Sequence, residues 1–420
     1  MKRVMVVLAM LAIMALSFVG FGETISLWIG GQVAALGTTW NTLIKQFEQQ
    51  TGITVNVQRI GFDVYYQKLV TAYRSGEAPD LAFADLGGWC PAFAARGWIM
   101  PLDDFLANWD GTSAIWPNLW SAVTYKGKRW GVPWYTDCRL LLYNTDMFKK
   151  AGLDPNNPPK YWEQLLIDAL KLTNKSEHIY GYGVSGRMDE ITTLGYMIFL
   201  YGAGGQLLND DNTKAAFDSP AGLRALEFYT ALGKLGVSPD PLTNNEDSYR
   251  PMLAQGRVAM AIGGPWSFPL LAKENPAIVG HYKVALHPYA VRPASVFGGW
   301  ALVVAANTQH KDAVFKLIKF LDSYETWMYW TEHENGPLPA RKDVALNTPA
   351  FKKPEVADLW DVVLKTFPTA YARSPIPQWP EVSTEIQKMV ESVLLNKMSP
   401  QEAITYYAQE VNKILAEPVK

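Results

Sequence analysis

The chain has 420 residues, enough for two or three ordinary domains, and its composition of 49% hydrophobic and 19% charged residues excludes an intrinsically disordered protein. A net charge of −2 offers no basic surface, which excludes nucleic acid as a partner. The 16 tryptophans are many for a chain with so few charges, and they either fill cores or line a ligand cleft.

The N-terminus has the pattern of a secretory signal peptide. Met1 to Arg3 is basic, residues 4–19 are uncharged and mostly apolar, and Gly20-Phe21-Gly22 precedes Glu23. We therefore predict a signal peptide at residues 1–22, cleaved near Gly22, and export to the periplasm or another extracytoplasmic space. The apolar run is shorter than the roughly 20 residues of a membrane span, and it ends without a cysteine for a lipid anchor.

The next hundred residues begin as an α/β sheet does. Hydrophobic periodicity predicts strands at 24–31, 53–60 and 80–88, with helices at 40–50 and 65–73 between them. In open α/β sheets, ligands bind outside the carboxyl ends of the strands. Asp85 lies at such an end and is therefore a candidate ligand residue.

Strands and amphipathic helices continue to the end of the chain. We predict strands at 140–143 and 258–262, and helices at 161–172, 191–200, 221–235, 247–253, 313–321, 382–395 and 400–415. Pro400 suits a first helical turn behind the N-cap Ser399. Two tryptophans, Trp266 in "GGPWSF" and Trp300 in "FGGWALVV", follow glycine corners next to strand-like runs.

Tests for catalytic and metal sites give no candidate. The "GYGVSG" of residues 181–186 follows a polar stretch, so a glycine-rich strand or turn is favoured over a dinucleotide loop, and Ser185 lacks the second glycine of a nucleophile elbow. The five histidines have no metal-ligand spacing, and "NDDNT" at 209–213 is a polar turn. We predict no catalytic residue, metal or cofactor. Cys90 and Cys138 form either one disulfide or two buried free thiols.

A series of phrases occurs in the order found in one family. They include "SGEAPDLAFAD", "ARGWIMPLDDF", "AIGGPW", "FGGWALVV", "GPLPARKDV" and "PQWPEVSTEIQKMV". The chain resembles the carbohydrate-binding members of the extracellular solute-binding proteins that serve ABC importers, the group of the maltose- and trehalose/maltose-binding proteins. The likeness covers nearly all of the chain after the signal peptide.

The resemblance implies an α/β, two-lobe periplasmic-binding-protein fold of type II-like topology, with crossing strands and a ligand cleft between the lobes. By the matching phrases, one lobe comprises residues 23–139 and 298–343, and the other 140–297 and 344–420. It also implies a monomer that is not an enzyme and that delivers a carbohydrate ligand, from mono- to oligosaccharide, to the transmembrane subunits of an ABC permease. Lobe closure on the ligand would signal to the permease.

The resemblance also implies a set of ligand-binding residues, in which flat indoles cover the apolar faces of a sugar and charged groups bond its hydroxyls. The residues are Gln32, Asp85, Tyr135, Asp137, Trp266, Gly299, Trp300 and Arg373. Trp134 and Tyr135 are adjacent on a strand, so only one of them faces the cleft, and the match favours Tyr135. We expect Trp266→Ala or Trp300→Ala to abolish sugar binding with little loss of folding.

Alternatives remain for single residues and for the whole chain. Asp85 could cap the following turn, Asp137 could pair with Arg139, and Arg373 could form a surface salt bridge. The corner "GGQVA" lacks the acidic residue that maltose-binding relatives often carry, so the identity of the sugar is left open. The solute could also be a polyol or glycerol phosphate, and a secreted glycan-active hydrolase is the alternative from another class.

Overall fold

The computed structural model describes residues 22–418 apart from 31, 87 and 335–337, so the predicted signal peptide lies almost wholly outside the described residues. The helices of the described residues are α1 (Gly37–Thr51), α2 (Phe62–Ser75), α3 (Trp89–Ala95), α4 (Asp103–Ala107), α5 (Thr145–Lys150), α6 (Trp162–Leu172), α7 (Glu190–Gly202), α8 (Pro220–Lys234), α9 (Glu246–Ala254), α10 (Ser267–Glu274), α11 (Lys311–Leu321), α12 (Tyr324–His333), α13 (Lys342–Asn347), α14 (Ala357–Thr366), α15 (Trp379–Leu394) and α16 (Pro400–Ala416). Short 3-10 helices connect several of them.

The strands of the described residues are β1 (Thr24–Gly30), β2 (Thr54–Ile60), β3 (Leu81–Asp85), β4 (Thr124–Tyr125), β5 (Lys128–Arg129), β6 (Val132–Cys138), β7 (Leu140–Asn144), β8 (Tyr180–Gly183), β9 (Val258–Gly263), β10 (Tyr282–Ala285), β11 (Ser295–Val304), β12 (Leu338–Pro339) and β13 (Ala370–Tyr371). They form a seven-stranded sheet, a four-stranded sheet and the β4–β5 pair. The mixed α/β class agrees with the sequence-based prediction.

The seven-stranded sheet has the order β12-β6-β11-β3-β1-β2, with β13 paired to β11. Strands β2, β1 and β3 are parallel, as expected when helices connect consecutive strands. Strands β11 and β6 then add in antiparallel fashion beside β3. This places the ends of β3, β11 and β6 next to one another.

The four-stranded sheet has the order β10-β7-β9-β8. We call the seven-stranded sheet the first sheet and the four-stranded sheet the second sheet. The chain passes from the first sheet to the second between β6 and β7, where only Arg139 separates the two strands, and it returns between β10 and β11. The two passages are joined, because the Arg139 N–H donates to the Val296 carbonyl (3.2 Å) and the Ser295 hydroxyl donates to the Arg139 carbonyl (2.7 Å).

The helices follow the predicted apolar faces. Trp40, Leu43 and Phe47 of α1 are buried against the first sheet, as their helical spacing predicts. Trp162 and Trp360 are core residues. Ser399 caps α16 with a capping box ahead of Pro400, also as predicted.

Some elements differ from the sequence-based expectation. The predicted strand at 80–88 ends at Asp85, and the following residues lead into α3, which was not predicted. Helix α12 was also missed, since only Trp327 and Trp330 on it give an apolar stripe. The "GYGVSG" stretch contains strand β8, which confirms the strand interpretation over the dinucleotide loop. Among the described residues, no helix has the length and apolarity that crossing a membrane requires.

Candidate ligand-binding site

Three side chains form a row across neighbouring strands of the first sheet. Trp300 on β11 lies opposite Asp85 on β3 and opposite Tyr135 on β6. Opposed residues of a sheet project to the same face, so an acid, an indole and a phenol are presented together. Trp134 projects to the other face, where it is fully buried with its ring centroid 4.7 Å from that of Trp327.

Trp300 is fixed by other aromatic rings. Its ring lies edge to face with Trp89, with centroids 5.6 Å apart, and 5.7 Å from Tyr65. Only 3% of Trp300 is exposed. The residue is therefore part of the core of the first sheet as well as the wall of a cleft.

Glycines allow close packing at both tryptophan corners. Gly299 has φ of +123°, and a Cβ there would lie 2.2 Å from the Tyr135 carbonyl oxygen. A Cβ at Gly264 would lie 2.0 Å from the ring of Trp266. The two glycine corners thus have a steric reason, since any side chain would displace β6 or the Trp266 ring.

Trp266 follows β9 and precedes α10. Its Nε1 donates to Glu246 Oε1 at 2.9 Å, and the Arg139 guanidinium lies over its ring, 5.4 Å from the centroid. The ring is therefore held by groups on α9 and on the passage between the sheets.

A charged cluster surrounds this indole. Arg139 Nη1 lies 3.7 Å from Asp137 Oδ1, and Arg139 Nε lies 3.6 Å from Glu246 Oε2. The Gly298 N–H donates to Asp137 Oδ1 at 2.9 Å. Burial raises the pKa of Glu246 to about 7 and also raises the pKa of Asp137, and in both cases the Arg139 charge opposes the rise.

Arg373 connects the first sheet with α7. Its guanidinium forms an ion pair with Asp85, lies 3.3 Å from Glu190 Oε1, and donates to the Leu86 carbonyl at 2.6 Å. Burial raises the pKa of Asp85, and the Arg373 charge opposes this. Glu190 also accepts from Trp379 Nε1 at 2.9 Å and from the Ser383 hydroxyl. Arg373 is 4% exposed, so it does not form a surface salt bridge.

These groups enclose two adjoining cavities, which we call the inner and outer chambers. The inner chamber, of about 70 Å³, is lined by Asp85, Tyr135, Asp137, Arg139, Glu190, Ile191, Leu194, Glu246, Asp247, Trp266, Gly298, Gly299, Trp300 and Arg373. The outer chamber, of about 550 Å³, is lined by Tyr66, Gln67, Asp85, Trp89, Arg187, Asp189, Glu190, Ile191, Asn245, Asp247, Arg373, Trp379, Pro380, Ser383 and Gln387. They meet at Asp85, Glu190, Ile191, Asp247 and Arg373, which line both.

The structure brings most of the predicted residues together. The inner chamber is lined by Asp85, Tyr135, Asp137, Trp266, Gly299, Trp300 and Arg373. Gln32 begins the short 3-10 helix after β1, and its side chain lies outside the described part of the chain. The proposed pairing of Asp137 with Arg139 is present in the same site.

Several lining residues escaped sequence reasoning. Glu190 and Glu246 are the first residues of α7 and α9, directly after the N-caps Asp189 and Asn245. The sequence indicates the start of a helix in both places. Which groups contact the first acidic residue of each helix depends on the other sheet. Arg139 appeared only as a partner of Asp137.

The remaining candidates take no part in the site. Cys90 and Cys138, both within the described residues, are buried free thiols, which leaves the second of the two predicted states. The described residues contain no cluster of three or more His, Cys, Asp or Glu side chains placed to hold a metal ion. Residues 209–213 form a polar turn with internal hydrogen bonds.

Comparisons with known proteins identify relatives over nearly the whole chain. The profile of the family described as bacterial extracellular solute-binding protein matches residues 30–326. A crystal structure of an ABC transporter solute-binding protein from Thermotoga lettingae TMO, bound with α-D-tagatose, is 57% identical, with a TM-score of 0.89 over 94% of this chain and 100% of that one.

More distant relatives cover similar lengths. A solute-binding protein from Agrobacterium radiobacter K84 in complex with ribitol is 25% identical, with a TM-score of 0.80 over 93% of this chain and 98% of that one. A putative binding protein of Brucella abortus (strain 2308) is 27% identical over 97% of both chains.

Proposed function

Because the chain belongs to the bacterial extracellular solute-binding protein family, we propose that it binds a neutral sugar or sugar alcohol of monosaccharide size for an ABC importer. The observation that carries this proposal is the pair of joined chambers, in which indoles (Trp266 and Trp300 in the inner chamber, Trp89 and Trp379 in the outer one) accompany a dense set of charged hydrogen-bonding groups. Indoles cover the C–H faces of a sugar, and carboxylates and guanidiniums bond its hydroxyls. The bound tagatose of the 57% identical relative supports a hexose.

The charge of the site opposes an anionic ligand. Among the described residues that line the inner chamber, five carboxylates (Asp85, Asp137, Glu190, Glu246, Asp247) face two guanidiniums (Arg139, Arg373). A buried phosphate would have to approach this excess of negative charge with few donors to neutralise it. This argues against glycerol phosphate and is compatible with uncharged sugars and polyols.

We further propose the predicted lobe partition, 23–139 with 298–343 and 140–297 with 344–420. Two crossings of the chain between the sheets support it, one at Arg139 and the other just before β11. The third change of lobe, predicted after residue 343 and so within α13, would instead fall between α13 and α14, because α13 contacts α12 and α14 contacts β10. The protein would act as an exported monomer, cleaved near Gly22, that meets the transmembrane subunits of its permease without turning over the sugar.

A thermal-shift screen tests this proposal. Ligands that bind only the folded form raise the midpoint of unfolding. D-Tagatose, other hexoses and alditols should raise it in a concentration-dependent way, whereas sn-glycerol 3-phosphate should not. A shift with the phosphate alone would reject the proposed ligand class, and release of a smaller sugar from added oligosaccharides would favour the hydrolase.

A further inference from the structure

The two chambers differ in what they can hold. The inner chamber, at about 70 Å³, is well below the roughly 300–1,000 Å³ of ordinary ligand pockets, whereas the outer chamber, at about 550 Å³, lies within that range. A sugar that reaches both chambers therefore has its ring in the outer one. Only a small end of the molecule enters the inner one.

Unused hydrogen-bonding atoms mark the inner chamber. Within the described part of the chain, Arg139 Nε and Nη1 and Glu246 Oε2 are buried and form no hydrogen bond. Arg139 is 9% exposed and Glu246 6%. Buried polar atoms are nearly always hydrogen-bonded in native proteins, because an unsatisfied one is costly.

Their neighbours explain why these groups do not bond one another. Trp266 Nε1 donates a hydrogen bond to Glu246 Oε1, and the Gly298 N–H donates one to Asp137 Oδ1. The distances of 3.6 Å and 3.7 Å from Arg139 to the two carboxylates exceed those of a good hydrogen bond. An unpaired donor and an unpaired acceptor thus lie side by side on two residues that line the chamber.

A hydroxyl group satisfies both at once. Its oxygen accepts an N–H of Arg139, and its proton is donated to Glu246 Oε2. A methyl group or a hydrogen atom in the same place satisfies neither. A phosphate would bring its charge against Glu246 and Asp137.

We propose that Arg139 and Glu246 are specificity-determining residues that bind a terminal hydroxymethyl group of the sugar or sugar alcohol, inserted into the inner chamber while the rest of the ligand occupies the outer one. This assignment rests on the proposed function and adds the orientation of the ligand to it. Arg139 is well placed for the role, because its backbone joins the two passages between the sheets through Val296 and Ser295.

Titration calorimetry with D-tagatose, with 1-deoxy-D-tagatose, which lacks the terminal hydroxyl, and with 4-deoxy-D-tagatose, which keeps it, tests the assignment. The wild-type protein should bind 1-deoxy-D-tagatose about 10- to 100-fold more weakly than D-tagatose, the effect of losing a hydrogen bond to charged partners. Glu246→Gln and Arg139→Lys should reduce that preference at least about fivefold, because each removes part of the donor–acceptor pair.

Arg341→Lys is the matched control. Arg341 pairs with Asp343 and donates to the Asp322 carbonyl, away from both chambers, so this variant should keep the preference of the wild type. If Arg139→Lys does not fold, Glu246→Gln decides alone.

Two results would overturn the assignment. One is equal binding of D-tagatose and 1-deoxy-D-tagatose by the wild type. The other is a loss of affinity in Glu246→Gln that is the same for all three sugars, which would indicate a structural role. If the wild type bound none of the three sugars nor any other neutral sugar, the proposed function itself would fail.

Discussion

Trp266 and Trp300 line the same chamber but differ in what supports their rings. Trp300 packs against Tyr65 and Trp89 and is almost fully buried. Trp266 is half-buried and depends on Glu246 and Arg139. The expectation that either could be removed with little loss of folding therefore suits only Trp266.

Alanine substitutions should separate the two roles. Trp266→Ala should lower sugar affinity more than about tenfold with a small change in stability, since the ring lies at the edge of the core. Trp300→Ala should lower affinity and also the free energy of unfolding by about 3–5 kcal/mol. Calorimetry and urea denaturation measure the two quantities.

The buried Trp109 packs against Phe105 away from both chambers, so Trp109→Ala should lose stability without losing affinity. Equal loss of stability in the Trp266 and Trp300 variants would contradict this distinction.

The carboxyl of Glu246 gives a pH dependence with a defined sign. Burial raises its pKa from 4.5 to about 7, so in this pH window the folded protein keeps a proton that the unfolded chain has released. The stability contributed by the group therefore falls as the pH rises through the window. Because Gln cannot ionise, Glu246→Gln should gain stability relative to the ligand-free wild type as the pH rises from about 4.5 to 7.

Urea denaturation across this pH range provides the test. The exposed Glu332→Gln variant is the control for loss of a surface carboxyl group. If the Glu246→Gln difference did not change with pH, the carboxyl would not be perturbed as stated.

At the scale of elements, strand β11 depends on one glycine. Gly299 combines a positive φ with a close approach to Tyr135 and Thr136 of β6. Gly299→Ala should cost roughly 1–3 kcal/mol from backbone strain alone, with a steric clash added. Gly61→Ala is the control, because Gly61 has φ of −60° and a Cβ there would meet no described atom within 4 Å. Thermal unfolding of both variants checks the difference, and similar midpoints would argue against the strain.

The elements also show what the sequence could reveal of the site. Periodicity located the starts of α7 and α9 to within a residue, and glycine corners indicated Trp266 and Trp300. Glu190 and Glu246 were missed because each lies one residue before its predicted helix, and their partners Arg373 and Arg139 are distant in sequence or sit between two strands. Local patterns determine where a helix begins, but contacts between sheets determine which side chains meet.

At the scale of the whole molecule, the likeness to solved solute-binding proteins confirms the predicted α/β fold with two lobes. The order of the sequence phrases and the alternation of strands and helices were enough to predict the fold, because both can be recognised without knowing any tertiary contact. Whether the cleft is open or closed could not be predicted from the sequence. In this structure the Asp85–Arg373 pair connects β3 of the first sheet with α7, which packs with the second.

This bridge should favour the closed arrangement of the lobes. In Asp85→Asn the charge attraction to Arg373 is lost, so the ligand-free protein should show a larger radius of gyration in X-ray scattering than the wild type. Asp322→Asn is the control, because Asp322 is buried and accepts a hydrogen bond from Trp327 Nε1, a residue of the same core as the first sheet. An unchanged radius in Asp85→Asn would show that the pair does not hold the lobes together.

The central claim is that the protein binds a neutral sugar in the joined chambers and releases it unchanged. Titration calorimetry with D-tagatose, followed by recovery and mass analysis of the sugar, tests both parts. The account predicts one saturable site per chain and an unaltered sugar. The claim would be contradicted if no neutral sugar or polyol gave binding heat or a stability shift. A chemically altered sugar after incubation would also contradict it.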